Sequence, residues 1–327
     1  MLNNLINTQD FAQLLLKIKQ VGLSRIIRQL FGYRSSNRSE KWERVESPAI
    51  HWWDIPAVHR RWNTLITGNP DVDYYQYIAQ KFFADRHDLN GLSIACGTGH
   101  RELKWISLLD LESVDAFDIS PQRILYAQQK ANSLGLDNVI KYRVGDVSKI
   151  SYPKNRYDVV FAEQSLHHLS PLREIFTKIR NTLKPDGLLI VNEYVGPNRF
   201  QWGERQKEIA DALLNIIPPV YRRIYKSNGI KKQIYRPGKL TMWMNDKSEA
   251  VESSQIVPLL KEMFEVLEMK EYGGTILHPL FRNIAHNFLQ DDESTRNILE
   301  LCFLVEDYAL KTEQIKSDFL IAICQNK

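Results

Sequence analysis

The feature that most restricts what this chain can become is a change of hydrophobic period at Gly91. From there to Asn192 short apolar runs alternate with longer helical patterns. Gly91–Ala95 reads as a first buried strand and Val114–Phe117 as a second. Val139–Val144, Tyr157–Phe161 and Leu188–Asn192 follow, the last entered through a Pro185-Asp186-Gly187 turn. Unbroken apolar runs suit strands covered on both faces, and strand–helix repetition makes a parallel sheet the expected answer. Two helix starts have the same signature. Ser120-Pro121 precedes Ile124, Leu125, Ala127 and Ala131, with Gly135 to close the helix. Ser170-Pro171 precedes Leu172, Ile175, Phe176, Ile179 and Leu183. A serine there accepts from the orphan N–H groups of the first turn, and proline suits the first helical position.

After Tyr194 the alternation stops. Residues 200–262 read as mostly helical, including 205–217 and 248–263; 264–271 reads as a strand, 280–310 as helical, and 318–324 as a last strand. A length of 327 residues alone would suggest two domains. The pattern instead predicts one open α/β sheet over 91–327 with helical lid insertions at about 200–262 and 280–310. Residues 46–90 form an N-terminal helical cover, and 1–45 a basic helical arm with its linker.

The charge sits mostly in that arm. The whole chain carries 43 basic and 39 acidic residues, a formal +4, but residues 1–45 hold eight Lys/Arg against three acids. The body is therefore close to neutral, which argues against a nucleic-acid-binding face. Leu15, Ile18, Leu23, Ile26, Ile27 and Leu30 recur at helical spacing in the arm. Three placements stay open for it: against the body or a second subunit, on an anionic membrane surface, or as a cleaved transit segment. Three scattered cysteines (Cys96, Cys302, Cys324) make no disulfide framework and no metal-ligand spacing, so a reducing, cytoplasmic setting is expected, membrane-peripheral if the arm binds lipid.

The first strand runs into Ala95-Cys96-Gly97-Thr98-Gly99, where glycines let backbone N–H groups approach a ligand. Asp118 ends the second strand 19 residues after Gly99, placed to accept from ribose hydroxyls. Asp146, in Gly145-Asp146-Val147, follows 28 residues later and suits an adenine amino group. Three residues after Gly99 stands Glu102 where a dinucleotide fingerprint wants glycine. A carboxylate there fits a ligand with a cationic amino-acid tail better than one with phosphates.

These motifs, with Glu163-Gln164-Ser165-Leu166-His167-His168 after the fourth strand, resemble those of class I S-adenosylmethionine-dependent methyltransferases over about 50–195. The resemblance implies a Rossmann-like, seven-stranded, mostly parallel sheet with an antiparallel last strand, completed by 264–271 and 318–324. It implies that Gly97 and Gly99 face the methionine part of the cofactor, with Ala95, Cys96, Thr98 and Glu163 also among its binding residues. Asp118 would take the ribose, Ile119 the adenine face, and Asp146 with Val147 its edge. The family usually has an acid at or just before the Cys96 position, which this chain lacks. The segment Glu193–Trp202 (EYVGPNRFQW) is similar to a bacterial subgroup from small-molecule and sugar-type biosynthesis.

His168 and His278 are the candidate catalytic bases, since histidine titrates near neutral pH and both follow strand ends. His167, Glu193, Tyr194, Arg199, Trp202 and Trp243 are the candidate acceptor contacts. Arg61, Trp62 and Tyr74 are placed to close over the first strand. Cys96 reads as buried filler, and Tyr126…Lys130 as a chance match to a dehydrogenase pair. The fourth strand lacks the Asn/Asp-Pro-Pro-Tyr/Phe of amino-directed nucleic-acid methyltransferases. The expected acceptor is thus a small molecule, a sugar or lipid-linked intermediate fitting best. A nicotinamide-dependent oxidoreductase and a non-catalytic binding protein on the same fold are the alternatives.

Overall fold

The computed structural model describes residues 50–238, 242 and 248–327. The arm and Trp243 lie outside the described residues. Seven strands form a single sheet: β1 (Leu89–Ile94), β2 (Leu111–Asp118), β3 (Ile140–Val144), β4 (Tyr157–Glu163), β5 (Leu183–Tyr194), β6 (Phe264–Gly273) and β7 (Phe319–Asn326). Their order is β3-β2-β1-β4-β5-β7-β6. The first five are parallel, and β7 runs antiparallel between β5 and β6. This is the α/β sheet, with its antiparallel last strand, that the resemblance implied.

The order places the site. The chain steps outward from β1 through β2 to β3, then returns to lay β4 on the other side of β1. Connections leaving β1 and β4 diverge to opposite faces, and a crevice opens beyond their C-terminal ends. One face of the sheet is covered by α1 (Pro56–Thr67), α2 (Tyr74–Phe82), α3 (His100–Ile106), α4 (Pro121–Ser133), α6 (Glu204–Ile216), α8 (Leu277–Phe281) and α9 (Glu293–Lys311). The other face is covered by α5 (Leu172–Thr182) and α7 (Ile256–Met263). Among the described residues no helix is long and apolar enough to cross a membrane.

Several local expectations need correction. The 248–263 segment is helical only from Ile256, after a short turn at Ser253–Gln255. The 280–310 segment is not continuous, since α8 and a turn at Ala285–Phe288 precede α9. Pro185-Asp186-Gly187 is a bulge within β5, because Leu183 already pairs with Tyr157 before Leu188 pairs with Val159. Ser120 does cap α4, accepting from Arg123 N at 3.3 Å. Ser170 does not cap α5: its Oγ donates to Glu252 Oε1 (2.7 Å), while Glu252 Oε2 accepts from Leu172 N (2.8 Å).

Arg61 is also placed differently from expectation. It pairs with Glu306 on α9 (Nη1–Oε2 2.9 Å) and with Asp307, and does not reach β1. Glu306, fully buried, accepts from Gly274 N, Ile276 N and Leu277 N (3.2, 2.7 and 3.2 Å). One carboxylate thereby joins α9, α1 and the start of α8. Trp62 packs beside Trp52 and Tyr272.

Candidate active site

The β1–α3 loop adopts left-handed backbone at Ala95, Gly97 and Gly99 (φ 54°, 60° and 79°). Gly99 is required by space as well as by φ. A Cβ there would lie 2.4 Å from Tyr142 Oη and 2.9 Å from Ala127 Cβ. Tyr142, rising from β3, donates to Gly99 O at 3.0 Å and fixes the loop from below. On the other side of the loop Gly97 is open, with only Arg123 Nη1 (3.6 Å) within 4 Å of where its Cβ would stand.

Asp118 closes the cradle. Its Oδ2 accepts from Gly97 N (2.9 Å) and its Oδ1 from Ser120 N (2.9 Å), so the strand-end carboxylate is locked to the glycine loop. Each oxygen keeps a second lone-pair direction for a hydroxyl. Ile119 is half-buried beside it, whereas Val147 is buried in the core. Asp146 holds its own turn, accepting from Ser148 N and Oγ (3.0 and 2.5 Å).

Glu102 departs from expectation. It faces the core beneath the loop, with Oε1 accepting from Ser93 Oγ at 2.6 Å and Oε2 without a hydrogen-bond partner among the described residues. Burial raises its pKa to about 7. It supports the loop from behind and does not present a carboxylate to a ligand. Cys96 is buried, and burial pushes its thiol well above the usual range, as expected of filler.

At the β4 end Glu163 is buried and bridges two aromatics. Trp105 Nε1 donates to Oε1 (2.6 Å) and Tyr74 Oη to Oε2 (2.5 Å). Burial raises the Glu163 pKa while the neighbouring Arg101 guanidinium opposes the rise. Tyr74 from α2 thus reaches over the β1 and β4 ends, as its position before the first strand suggested. Arg101 and Trp105 were missed because nothing in their spacing marks them; their meeting with Glu163 depends on the crossover.

The β5 end carries the clearest corrections. Glu193 is fully buried and spent on the protein itself. It accepts from Ser165 N, from Leu166 N (2.5 Å) and from Tyr194 N (3.1 Å), and pairs with His167 Nδ1 at 2.6 Å. It positions the β4 loop and cannot also be an acceptor contact. Tyr194 and Trp202 are 2% and 1% exposed and pack with Phe200 and His278, so they shape the wall from behind. Arg199 ties two segments together, its backbone N donating to Ala250 O (2.7 Å) and its Nη1 to Glu249 O (3.1 Å).

The two candidate bases differ. His278 lies among Trp52, Phe200, Trp202 and Phe319, and burial, with Arg282 and His51 nearby, holds its pKa well below the usual value. It is a neutral imidazole with little drive to take a proton. His168 is half-buried, its ring 4.1 Å from that of His167. His167 Nε2 faces Glu249 Oε1 at 3.7 Å.

Residues 92–191 match a family described as a methyltransferase domain. Among curated proteins the chain is 28% identical over 118 residues to phosphoethanolamine N-methyltransferase 3 of Arabidopsis thaliana, covering 35% of this chain and 24% of that protein. It is 26% identical over 104 residues to 27-O-demethylrifamycin SV methyltransferase of Amycolatopsis mediterranei, covering 32% and 38%. It is 29% identical over 129 residues to malonyl-[acyl-carrier protein] O-methyltransferase of Halalkalibacterium halodurans, covering 38% and 46%. The chain thus matches less than half the length of these relatives. Its fold is similar to that of phosphoethanolamine N-methyltransferase 2 of Haemonchus contortus, solved with S-adenosyl-L-methionine, at a TM-score of 0.53 and 15% identity, over 90% of this chain and 60% of that one.

Proposed function

We propose that this chain, with its methyltransferase domain at 92–191, is a class I S-adenosylmethionine-dependent methyltransferase acting on a small molecule. The observation that carries the reading is the Gly97–Asp118 lock (2.9 Å), which sets an open glycine cradle beside a strand-end carboxylate. The residues fit the cofactor. Asp118 has lone pairs left for ribose hydroxyls, Ile119 offers an apolar face, and the Gly97 side of the loop has room for a ligand. Asp146 and the Val147 main chain would hold the adenine end, and Glu163 with Arg101 would hold the methionine end. A bound S-adenosylmethionine supplies the methyl group and a good leaving group, so little is asked of the protein beyond alignment and exclusion of water. Tyr74, Trp105 and the wall of Phe200, Trp202 and His278 provide that exclusion.

A dinucleotide fits less well. The buried Glu102 carboxyl occupies the place where a glycine would let a helix close on a pyrophosphate. The acceptor reading is coarser: the three curated relatives are named for phosphoethanolamine, a rifamycin and malonyl-carrier-protein acceptors, none of them a nucleic acid. A sugar or lipid-linked intermediate, taken up between the β4–β5 ends and the segments 195–238 and 248–310, is the acceptor class we favour. Thermal-shift titration tests the cofactor: S-adenosylhomocysteine should raise the melting temperature and a nicotinamide dinucleotide should not. Stabilisation by the dinucleotide alone would overturn the proposal. Incubation with labelled methyl donor and fractionated metabolites then separates an enzyme from a binding protein.

A further inference from the structure

We infer that His167, His168 and Glu249 form a binding site for one divalent transition-metal ion at the rim of the crevice. One potential ligand atom from each residue lies within 4.8 Å of the other two. Donor atoms bound to a zinc-like ion at about 2.0–2.2 Å stand roughly 3.4 Å apart in tetrahedral geometry. The His167 Nε2 to Glu249 Oε1 separation of 3.7 Å is already close to that. The two edges to the half-buried His168 are each no longer than 4.8 Å, so its ring has only to draw in toward the other two ligands.

The surroundings give independent support. Glu193 pairs with His167 Nδ1 at 2.6 Å, which fixes the ring and directs Nε2 toward Glu249. A carboxylate behind a histidine is the usual outer partner of a metal-bound imidazole, setting its tautomer and raising its basicity. Glu249 comes from far along the chain, yet its segment is fastened at several points. Val251 N donates to His167 O (3.3 Å), Arg199 Nη1 donates to Glu249 O (3.1 Å), and Glu252 is held by Ser170 and Leu172 N. Arg282 also attracts the Glu249 carboxylate and competes with an incoming cation.

Two imidazoles and one carboxylate select a borderline first-row ion, such as Zn²⁺ or Co²⁺, over Mg²⁺, which prefers oxygen donors and water. A site with three protein ligands is the kind that takes a further oxygen donor, such as a hydroxyl or carboxylate of the acceptor, on the ion. The inference stands on these side chains alone and does not require the methyl-transfer reading.

The test is titration of the chelator-stripped full chain with Co²⁺, followed by visible absorption, and then competition with Zn²⁺ and with Mg²⁺. One equivalent should bind with micromolar or tighter affinity, be displaced by Zn²⁺, and persist in millimolar Mg²⁺. His168→Ala and Glu249→Gln should each weaken binding at least tenfold while melting within about 2 °C of the unsubstituted protein. Glu193→Gln should weaken it about 10–100-fold without touching the ion. No saturable uptake, or uptake unchanged in both His168→Ala and Glu249→Gln, would overturn the inference. Because S-adenosylhomocysteine binding is read separately, its persistence beside failed Co²⁺ uptake would sink the metal site and leave the methyltransferase reading standing.

Discussion

On the β1–β3 side of the crevice, the glycine loop and Asp118 stand at the ends of neighbouring strands and meet each other directly. Gly97 and Asp118 meet because β1 and β2 are neighbours in register, Ile94 opposite Phe117. On the β5–β7 side, the wall is assembled from segments 50 to 250 residues apart. Arg61 reaches Asp307 across 246 positions, and Arg199 reaches Glu249 O across 50. The comparison teaches that the glycine cradle is written locally, whereas the opposite wall is written in pairs of distant residues.

The largest expected effect lies on the long-range side. Arg61 and Glu306 are 7% and 0% exposed at the side chain, so among the described residues Glu306→Ala leaves the buried guanidinium paired with the half-exposed Asp307 alone. Breaking a buried pair from one side costs about 3–5 kcal/mol. The three backbone donors of 274–277 lose their acceptor as well. Urea unfolding should show a correspondingly lower midpoint; a midpoint within error of the parent would mean that the far wall is not held by this cluster.

Next comes the local side. Asp118→Ala should weaken S-adenosylhomocysteine binding about 10–100-fold, as expected for losing charge-assisted hydrogen bonds of about 1.5–3 kcal/mol. Trp202→Phe, on the other wall, should leave the same constant within about threefold. Calorimetric titration of both variants is decisive. Equal losses would erase the division between a cofactor side and an acceptor side.

The same division explains what could be read from the amino acids alone. The five parallel strands, the glycine loop, Asp118 and the Ser120 cap all rest on patterns spanning fewer than about 15 residues, where periodicity and capping chemistry act directly. Glu193, Tyr194 and Trp202 were misjudged because sequence position gives the strand end but not which way the side chain turns or what already occupies it. Glu249 stood in a segment read only as part of a helix, and its approach to His167 depends on a chain return of 82 residues. Arg101 and Trp105 face Glu163 because the chain crosses from β3 to β4 around β1, a consequence of strand order that no local pattern encodes.

A pH titration probes the two walls through their buried carboxyls. Asp318, just before β7, is buried, accepts from Gln206 Nε2 at 3.0 Å, and has its pKa raised to about 8 by that burial. Glu102 under the glycine loop is raised to about 7. Both gain protons relative to the unfolded chain, where such groups titrate near 4. Their favourable contribution is complete below pH 4 and is lost as pH rises toward 7 for Glu102 and 8 for Asp318. Melting temperature should therefore fall as pH rises across that window, with Asp318, the more strongly shifted group, responsible for the larger share. Asp318→Asn should flatten the upper part of the slope, and Glu102→Gln the lower part. A slope unchanged in both would show that neither carboxyl holds its proton.

The smallest effect sets the two kinds of helix start against each other. α4 is capped by its own Ser120, fully buried and accepting from Arg123 N, so Ser120→Ala should cost about 1 kcal/mol. Ser170 has the same Ser-Pro context, yet the acceptor for the first turn of α5 is Glu252, 80 residues from Leu172. Ser170→Ala should cost less than Ser120→Ala, and Glu252→Ala more than Ser170→Ala, because it removes the acceptor for both Leu172 N and Ser170 Oγ. Chemical denaturation of the three variants gives the ranking. Equal losses for the two serines would mean that the Ser-Pro signature caps both helices locally after all, and that the distant carboxylate is only incidental to α5.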